Sequence, residues 1–204
     1  MALPKIESSF DAAAYLVWEN AQPGRNEYIA GEVFAMVGVR QSHNVATGNL
    51  YNVLRRELKG SPCRVFIESV KTRIEAANCF FYPDVVVTCD ARDRLTPEYL
   101  SHPLLVVEVL SESTVAFDRG AKFAAYRKLD SLRDYVLIDV SAQRIEVFRR
   151  NAENHWVLYD YGLGDRVEFA SLSLSLDPAE LLDDTLEMPP EPTSPQANAA
   201  CDEP

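Results

Sequence analysis

Long apolar runs are missing from this 204-residue chain. No stretch approaches the roughly 20 apolar residues of a membrane helix, and the opening Met1-Ala2-Leu3-Pro4-Lys5-Ile6-Glu7 lacks the apolar core of a signal peptide. A cytoplasmic protein with no membrane partner is expected. Glycine is sparse, at 8 residues, and no glycine-rich phosphate loop or internal repeat is visible. The four cysteines, Cys63, Cys79, Cys89 and Cys201, show no CxxC spacing, and the three histidines, His43, His102 and His155, are scattered. A structural zinc is therefore not expected, and reduced thiols are expected rather than a disulfide framework.

Positive charge is also short. The formal net charge is −11, which argues against nucleic acid, because phosphate binding rests on Lys and Arg. The distribution weakens that objection. Residues 177–204 hold eight of the 31 acids and no Lys or Arg, so residues 1–176 carry 23 acids against 20 bases. Basic residues cluster at Arg55-Arg56-Glu57-Leu58-Lys59 and from Arg119 to Arg133, a pattern that also suits a solvated helix face.

Against this background two carboxylates stand out, each alone in an apolar strand: Asp84 in Phe80-Phe81-Tyr82-Pro83-Asp84-Val85-Val86-Val87, and Glu108 in Leu104-Leu105-Val106-Val107-Glu108-Val109-Leu110. A buried carboxylate costs several kcal/mol or surrenders its charge unless it is partnered. With period-2 alternation, Leu104, Val106, Glu108 and Leu110 share one face, and Tyr82, Asp84 and Val86 share another. If the strands are neighbours, the two acids converge. Two reasons for such a pair remain open at this level: a structural ion pair with lysines, or an oxygen-rich Mg²⁺ site.

The chain length suits one domain. A helix is expected from Ser9-Phe10-Asp11 to about Glu19, then two short strands within Glu27–Met36 turning at Ala30-Gly31, and a helix from about Ser42 to Lys59. Strands are expected at Arg64–Ile74, Phe80–Thr88 and Leu104–Leu110, a helix at about Arg119–Leu129, and a strand at Asp134–Val140. This order gives an α/β (α+β) sandwich with a mixed central sheet flanked by helices. Arg144–Arg149, Trp156–Tyr161 and Arg166–Phe169 read as additional antiparallel strands, and Asp177-Pro178-Ala179-Glu180 as a helix start. The domain spans 1–184. The acidic, proline-rich segment 185–204 is expected to be a disordered tail.

Taken together, Gly31-Glu32-Val33, Ser42-His43-Asn44, Val70-Lys71, Tyr82-Pro83-Asp84-Val85, Val107-Glu108-Val109-Leu110-Ser111, Asp118-Arg119-Gly120-Ala121-Lys122-Phe123 and Asp134-Tyr135-Val136-Leu137-Ile138-Asp139 resemble the Uma-type putative restriction endonucleases, a branch of the PD-(D/E)XK nuclease superfamily. The resemblance runs from about Tyr28 to Leu182. It implies a restriction endonuclease-like core and a Mg²⁺-dependent DNA endonuclease, with Mn²⁺ as a possible substitute. Asp84, Glu108 and the main-chain carbonyl of Val109 would hold the metal.

The superfamily's lysine position is occupied here by Leu110, which can neither orient a water nor take its proton. Lys122 and Lys71 are the candidates to replace it. Lys122 is favoured, because the short connection from Glu108 brings its helix near the strand end. Glu32 is a candidate third acid, and His43 a candidate phosphate or supporting contact. DNA is the expected partner, and a homodimer suits cleavage of both strands. Two other readings compete: a nuclease fold that has lost catalysis and binds DNA or protein, and hydrolysis of another phosphodiester such as RNA.

Overall fold

The computed structural model describes residues 5–6 and 11–185. Cys201 and, apart from Thr185, the expected tail lie outside the described residues. In chain order the elements are β1 (Lys5–Ile6), α1 (Ala12–Glu19), β2 (Asn26–Ile29), β3 (Glu32–Ala35), α2 (Gln41–Glu57), β4 (Arg64–Ile67), β5 (Lys71–Ile74), β6 (Cys79–Phe81), β7 (Val85–Thr88), β8 (Tyr99–Leu100) and β9 (Leu105–Val109). There follow α3 (Val115–Phe117), a π-helical turn (Asp118–Lys122), α4 (Phe123–Tyr126), β10 (Asp134–Asp139), β11 (Arg144–Arg150), β12 (Trp156–Tyr161), β13 (Val167–Phe169), β14 (Leu174–Leu176) and α5 (Pro178–Leu181).

The strands form two six-stranded sheets, ordered β1-β3-β2-β6-β5-β8 and β12-β11-β10-β9-β7-β4, with β13 and β14 as a side hairpin. Both large sheets are mixed: β5 runs parallel to β8, and β9 parallel to β10. The expected mixed α+β architecture is present, but as two sheets rather than one. Two strand candidates account for this, because each breaks and passes from one sheet to the other.

Arg64–Ile74 divides into β4 and β5, and Phe80–Thr88 into β6 and β7. In the second, Pro83 has no N–H to give to a ladder. In the first, Glu68 takes a φ of 50° and the Ser69 N–H turns back onto the Ile67 carbonyl. The two segments stay paired across the break, but their register slips by one residue, from Ile67 opposite Val85 to Thr72 opposite Phe81. An extra residue on one strand of a pair is a bulge, which bends the ribbon. Asp84 therefore sits at a corner between sheets, not inside a strand, and the expected sharing of a strand face by Tyr82, Asp84 and Val86 does not hold.

Packing follows the alternation. One face of the second sheet (Val85, Val87, Leu105, Val107, Val136, Ile138) packs on Leu50, Val53 and Leu54 of α2. The opposite face (Val86, Val106, Tyr135, Leu137) packs on Phe123 and Tyr126 of α4 and on Ile74 and Phe81 of the first sheet. The far face of the first sheet, with Tyr28 and Phe80, is covered by Tyr15 of α1. Asp11 caps α1 by accepting from the Ala14 N–H at 2.7 Å, Asp177 caps α5 by accepting from the Ala179 N–H at 2.9 Å, and Ala30 and Gly31 both take positive φ in the two-residue turn between β2 and β3.

The cysteines depart from expectation. Arg64 pairs with Thr88 at the ends of β4 and β7, so the flanking Cys63 and Cys89 face each other and form a disulfide. Cys79 is free and buried. Strand register made this pair, and sequence spacing does not reveal it. The bond joins positions 26 residues apart, which by chain entropy stabilises the fold by roughly 3–4 kcal/mol. A reducing agent should accordingly lower the midpoint of guanidinium unfolding. An unchanged midpoint, with Cys63 and Cys89 reacting freely with thiol reagents, would show that the pair is not joined.

Candidate active site

The antiparallel register of β7 with β9, Val85 opposite Val107, places Asp84 opposite Glu108 at the next position. The two lone acids are thus cross-strand neighbours, and the Val109 N–H donates to Asp84 Oδ2 at 2.7 Å. The other oxygen, Oδ1, lies 3.1 Å from His43 Nε2. His43 comes from the first turn of α2 and is 8% exposed. Burial pulls the His43 pKa down, but the hydrogen bond and charge of Asp84 outweigh it, so the ring is held protonated above the usual histidine value.

Glu108 points away from α2, into the space between the second sheet, the first sheet and the helix that follows β9. Lys122 fills that space. Its Nζ lies 2.9 Å from Glu108 Oε1, 3.1 Å from Glu27 Oε1 and 3.7 Å from Asp118 Oδ1. Asp118 and Lys122 belong to the π-helical turn, a widened turn that recurs at functional sites. It lies within a helical run that begins at Val115, earlier than the expected Arg119. Asp118 therefore lies inside the helical run, and its pair with Lys122 is buried. Glu27 reaches in from β2 and also accepts the Tyr82 N–H at 3.2 Å.

Charge in this cluster is unbalanced. Four carboxylates (Asp84, Glu108, Glu27, Asp118) face two cations (Lys122, His43). Burial lifts the pKa values of Glu27, Glu108 and Asp118, with their mutual repulsion acting in the same direction against Lys122. Burial alone would discharge Lys122, but Glu108 and Glu27 hold it protonated well above the lysine norm. Full ionisation would leave two uncompensated negative charges, the surplus that one divalent cation would balance.

The donor set suits such an ion. Glu108 Oε1 is buried and makes no hydrogen bond among the described residues, its approach to Lys122 being close but off axis. Each Asp84 oxygen keeps a lone pair beyond its one contact. Mg²⁺ takes one or two carboxylates and completes its shell with water, so Asp84, Glu108 and the Val109 carbonyl fit it. Among the described residues no group of three or more His, Cys, Asp or Glu is spaced to hold a metal unaided. The cavity over these residues measures about 720 Å³ and is lined by Asp84, Glu108, Leu110, Asp118, Lys122 and the Met36–Arg40 loop.

Glu32 and Lys71, the other expected residues, fall elsewhere. Glu32 is exposed beside the β2–β3 turn and does not line the cavity over Asp84 and Glu108, whereas Glu27 on the facing strand does. Lys71 leaves the opposite face of the first sheet, with its Nζ 5.5 Å from the Tyr82 ring centre. Tyr126 is fully buried against the cluster and its hydroxyl has no hydrogen bond among the described residues. Glu27 escapes sequence reading because its strand, Asn26-Glu27-Tyr28-Ile29, looks amphipathic; the only signal is a lone acid next to two large apolar residues.

Raised carboxylate pKa values mean that the native state binds more protons than the unfolded chain, so stability falls as pH rises from the ordinary carboxylate value of 4.5 towards the raised ones. The raised His43 adds stability below its ordinary 6.5 that is lost as pH rises through its folded value. The melting temperature should therefore drop between about pH 5 and about pH 8, and Glu108→Gln should flatten that fall and melt higher at the upper end. Lys122→Met should instead destabilise by roughly 3–5 kcal/mol, having stripped the acids of their cation. Equal losses in both variants would contradict the charge assignment.

Residues 12–196 match the family model Uma2, described as "Putative restriction endonuclease". Two uncharacterized proteins of Synechocystis sp. are similar along most of their length. One, slr1290, is 37% identical over 161 residues, covering 79% of this chain and 85% of the relative; the other, sll1609, is 30% identical over 167 residues, covering 80% and 94%. The fold is that of a crystal structure described as a putative nuclease belonging to DUF820 from Anabaena variabilis, with a TM-score of 0.68 and 19% identity over 84% of this chain and 98% of that one. The buried acids at the sheet corner and the matches across nearly the whole described chain lead to one statement of kinship: this protein belongs to the Uma2 family of putative restriction endonucleases.

Proposed function

We propose that the chain is a Mg²⁺-dependent endonuclease that hydrolyses DNA phosphodiester bonds, with Mn²⁺ able to substitute. The observation that carries this reading is the opposition of Asp84 and Glu108 across two strands, with Lys122 against Glu108 and an open cavity above. Asp84, Glu108 and the Val109 carbonyl would hold the cation. When bound, it would lower the pKa of a water and offset charge on the phosphorane-like transition state.

The chain's own groups have separable tasks. His43 and the Val109 N–H pin the two oxygens of Asp84, fixing the carboxylate's orientation. Lys122, held protonated, is no proton acceptor at neutral pH; it donates hydrogen bonds, orienting the attacking water and countering negative charge on the phosphoryl oxygens. It takes over the task for which Leu110 is chemically unfit. Glu27 and Asp118 keep Lys122 charged and aimed. Lys71, on the far side of the first sheet, has no part in water attack, and neither has Glu32.

Plasmid nicking with Mg²⁺ or Mn²⁺ tests the reading. Asp84→Ala should lose about a hundred-fold or more of the wild-type rate while keeping its fold. Undiminished nicking by Asp84→Ala would overturn the mechanism. Metal binding by the wild type without nicking of any nucleic acid would instead favour a nuclease fold retained for binding.

A further inference from the structure

A second cavity, about 530 Å³, lies on the other side of the Met36–Val39 loop and shares His43, Tyr82 and Asp84 with the first. Lys71 opens into it. This lysine is 8% exposed, and among the described residues its ammonium has no hydrogen bond or ion pair; its Nζ lies 5.5 Å from the Tyr82 ring centre. The nearest acid does not need it. Glu19 accepts from the Asn26 N–H at 2.8 Å, from Asn26 Nδ2 at 2.9 Å and from the Tyr82 hydroxyl at 2.8 Å. Of the other groups lining this cavity, Glu68 accepts from Asn44 Nδ2 at 3.4 Å, and Arg25 is bonded to the Glu68 carbonyl and Ser69.

A buried ammonium without a hydrogen-bonded anion is costly, and burial accordingly lowers the Lys71 pKa, with the charges of Glu19 and Glu98 only partly opposing it. An anion entering the cavity would relieve that cost. We propose that Lys71 marks a second subsite, which takes the phosphate adjoining the scissile one on a nucleic-acid strand lying across Asp84. This rests on the nuclease reading above and extends it. Asp84 and His43 form the wall common to both cavities, so a strand whose reacting phosphate lies at the carboxylates has its neighbouring phosphate within the second cavity. The volume lies within the range of small-ligand sites. Lys71 then contributes to holding the strand and not to the bond-breaking step.

The test is the affinity of the full chain for a fluorescent oligothymidylate, measured by anisotropy in EDTA over a range of salt, for wild type, Lys71→Gln, Lys71→Arg and the surface control Arg55→Gln. Loss of one phosphate contact should lower the slope of log K against log salt by about 0.7 and weaken binding roughly five-fold at 0.1 M salt. Lys71→Gln should show both effects, whereas Lys71→Arg and Arg55→Gln should keep the wild-type slope. Thermal melts of each variant separate a lost contact from a lost fold. An unchanged slope in Lys71→Gln, or no oligonucleotide binding by the wild type, overturns the subsite. If Lys71→Gln leaves the slope unchanged while the wild type still nicks plasmid, only the subsite falls; a Lys71-dependent slope in a protein that nicks nothing removes the catalytic reading and keeps the subsite.

Discussion

The burial of Lys122 among Glu27, Glu108 and Asp118 is the contact on which the rest of the architecture depends. Each partner comes from a different element: Glu27 from the first sheet, Glu108 from the second, and Asp118 from the π-helical turn that carries Lys122 itself. One ammonium group thereby adds a charged tie between three layers that also meet through apolar contacts and through hydrogen bonds such as that from the Tyr135 hydroxyl to the Asp118 carbonyl at 2.9 Å. An ion cluster this buried is a poor source of stability, because desolvation offsets much of its Coulombic gain. Its surplus of acids makes the fold pH-sensitive and leaves the site needing positive charge. A protein selected for stability alone would do better with apolar side chains there, so the arrangement points to a task.

That task is visible in how the second sheet ends. Val85 and Val107 pair within the apolar ladder, and the next position outward holds Asp84 and Glu108, where the ribbon turns the corner between sheets. The bulge after Ile67 and the break at Pro83 remove Asp84 from the ladder and give it to the cavity. His43 then reaches it from the first turn of α2. The same strand ends that complete the core therefore set these acids along a cavity wall, and the loop from Met36 to Val39 lies between two chambers with Asp84 common to both.

Asp84 and Glu108 were legible in the sequence because a lone charge in a Val/Leu run has few physical explanations. The approach of Lys122 to Glu108 was legible because the short connection after the Glu108 strand places the next helix at the strand end. Other features depend on long-range geometry. Glu27 and Glu32 lie on the two arms of one hairpin, and which of them faces inward is decided by pairing, not composition; the sequence motif drew attention to Glu32, whereas the arm that reaches Lys122 carries Glu27. Pro83 is a local mark of a broken strand that the expectation of one strand over Phe80–Thr88 passed over, whereas the matching bend at Glu68 carries no glycine or proline to mark it. The π-helical turn and the facing of Cys63 and Cys89 likewise have no local signature, since both arise from packing and register.

The central claim is that the acid cluster is poised to exchange protons for a divalent cation. Isothermal calorimetry of Mn²⁺ binding at about pH 6.5, repeated in buffers of different ionisation enthalpy, measures it directly, because protons released by binding add the buffer's own heat. The account predicts binding accompanied by net proton release, with both reduced in Asp84→Ala. Binding without proton release, or no binding by the wild type, would mean that Lys122 and His43 already satisfy the carboxylates and that the cluster is structural.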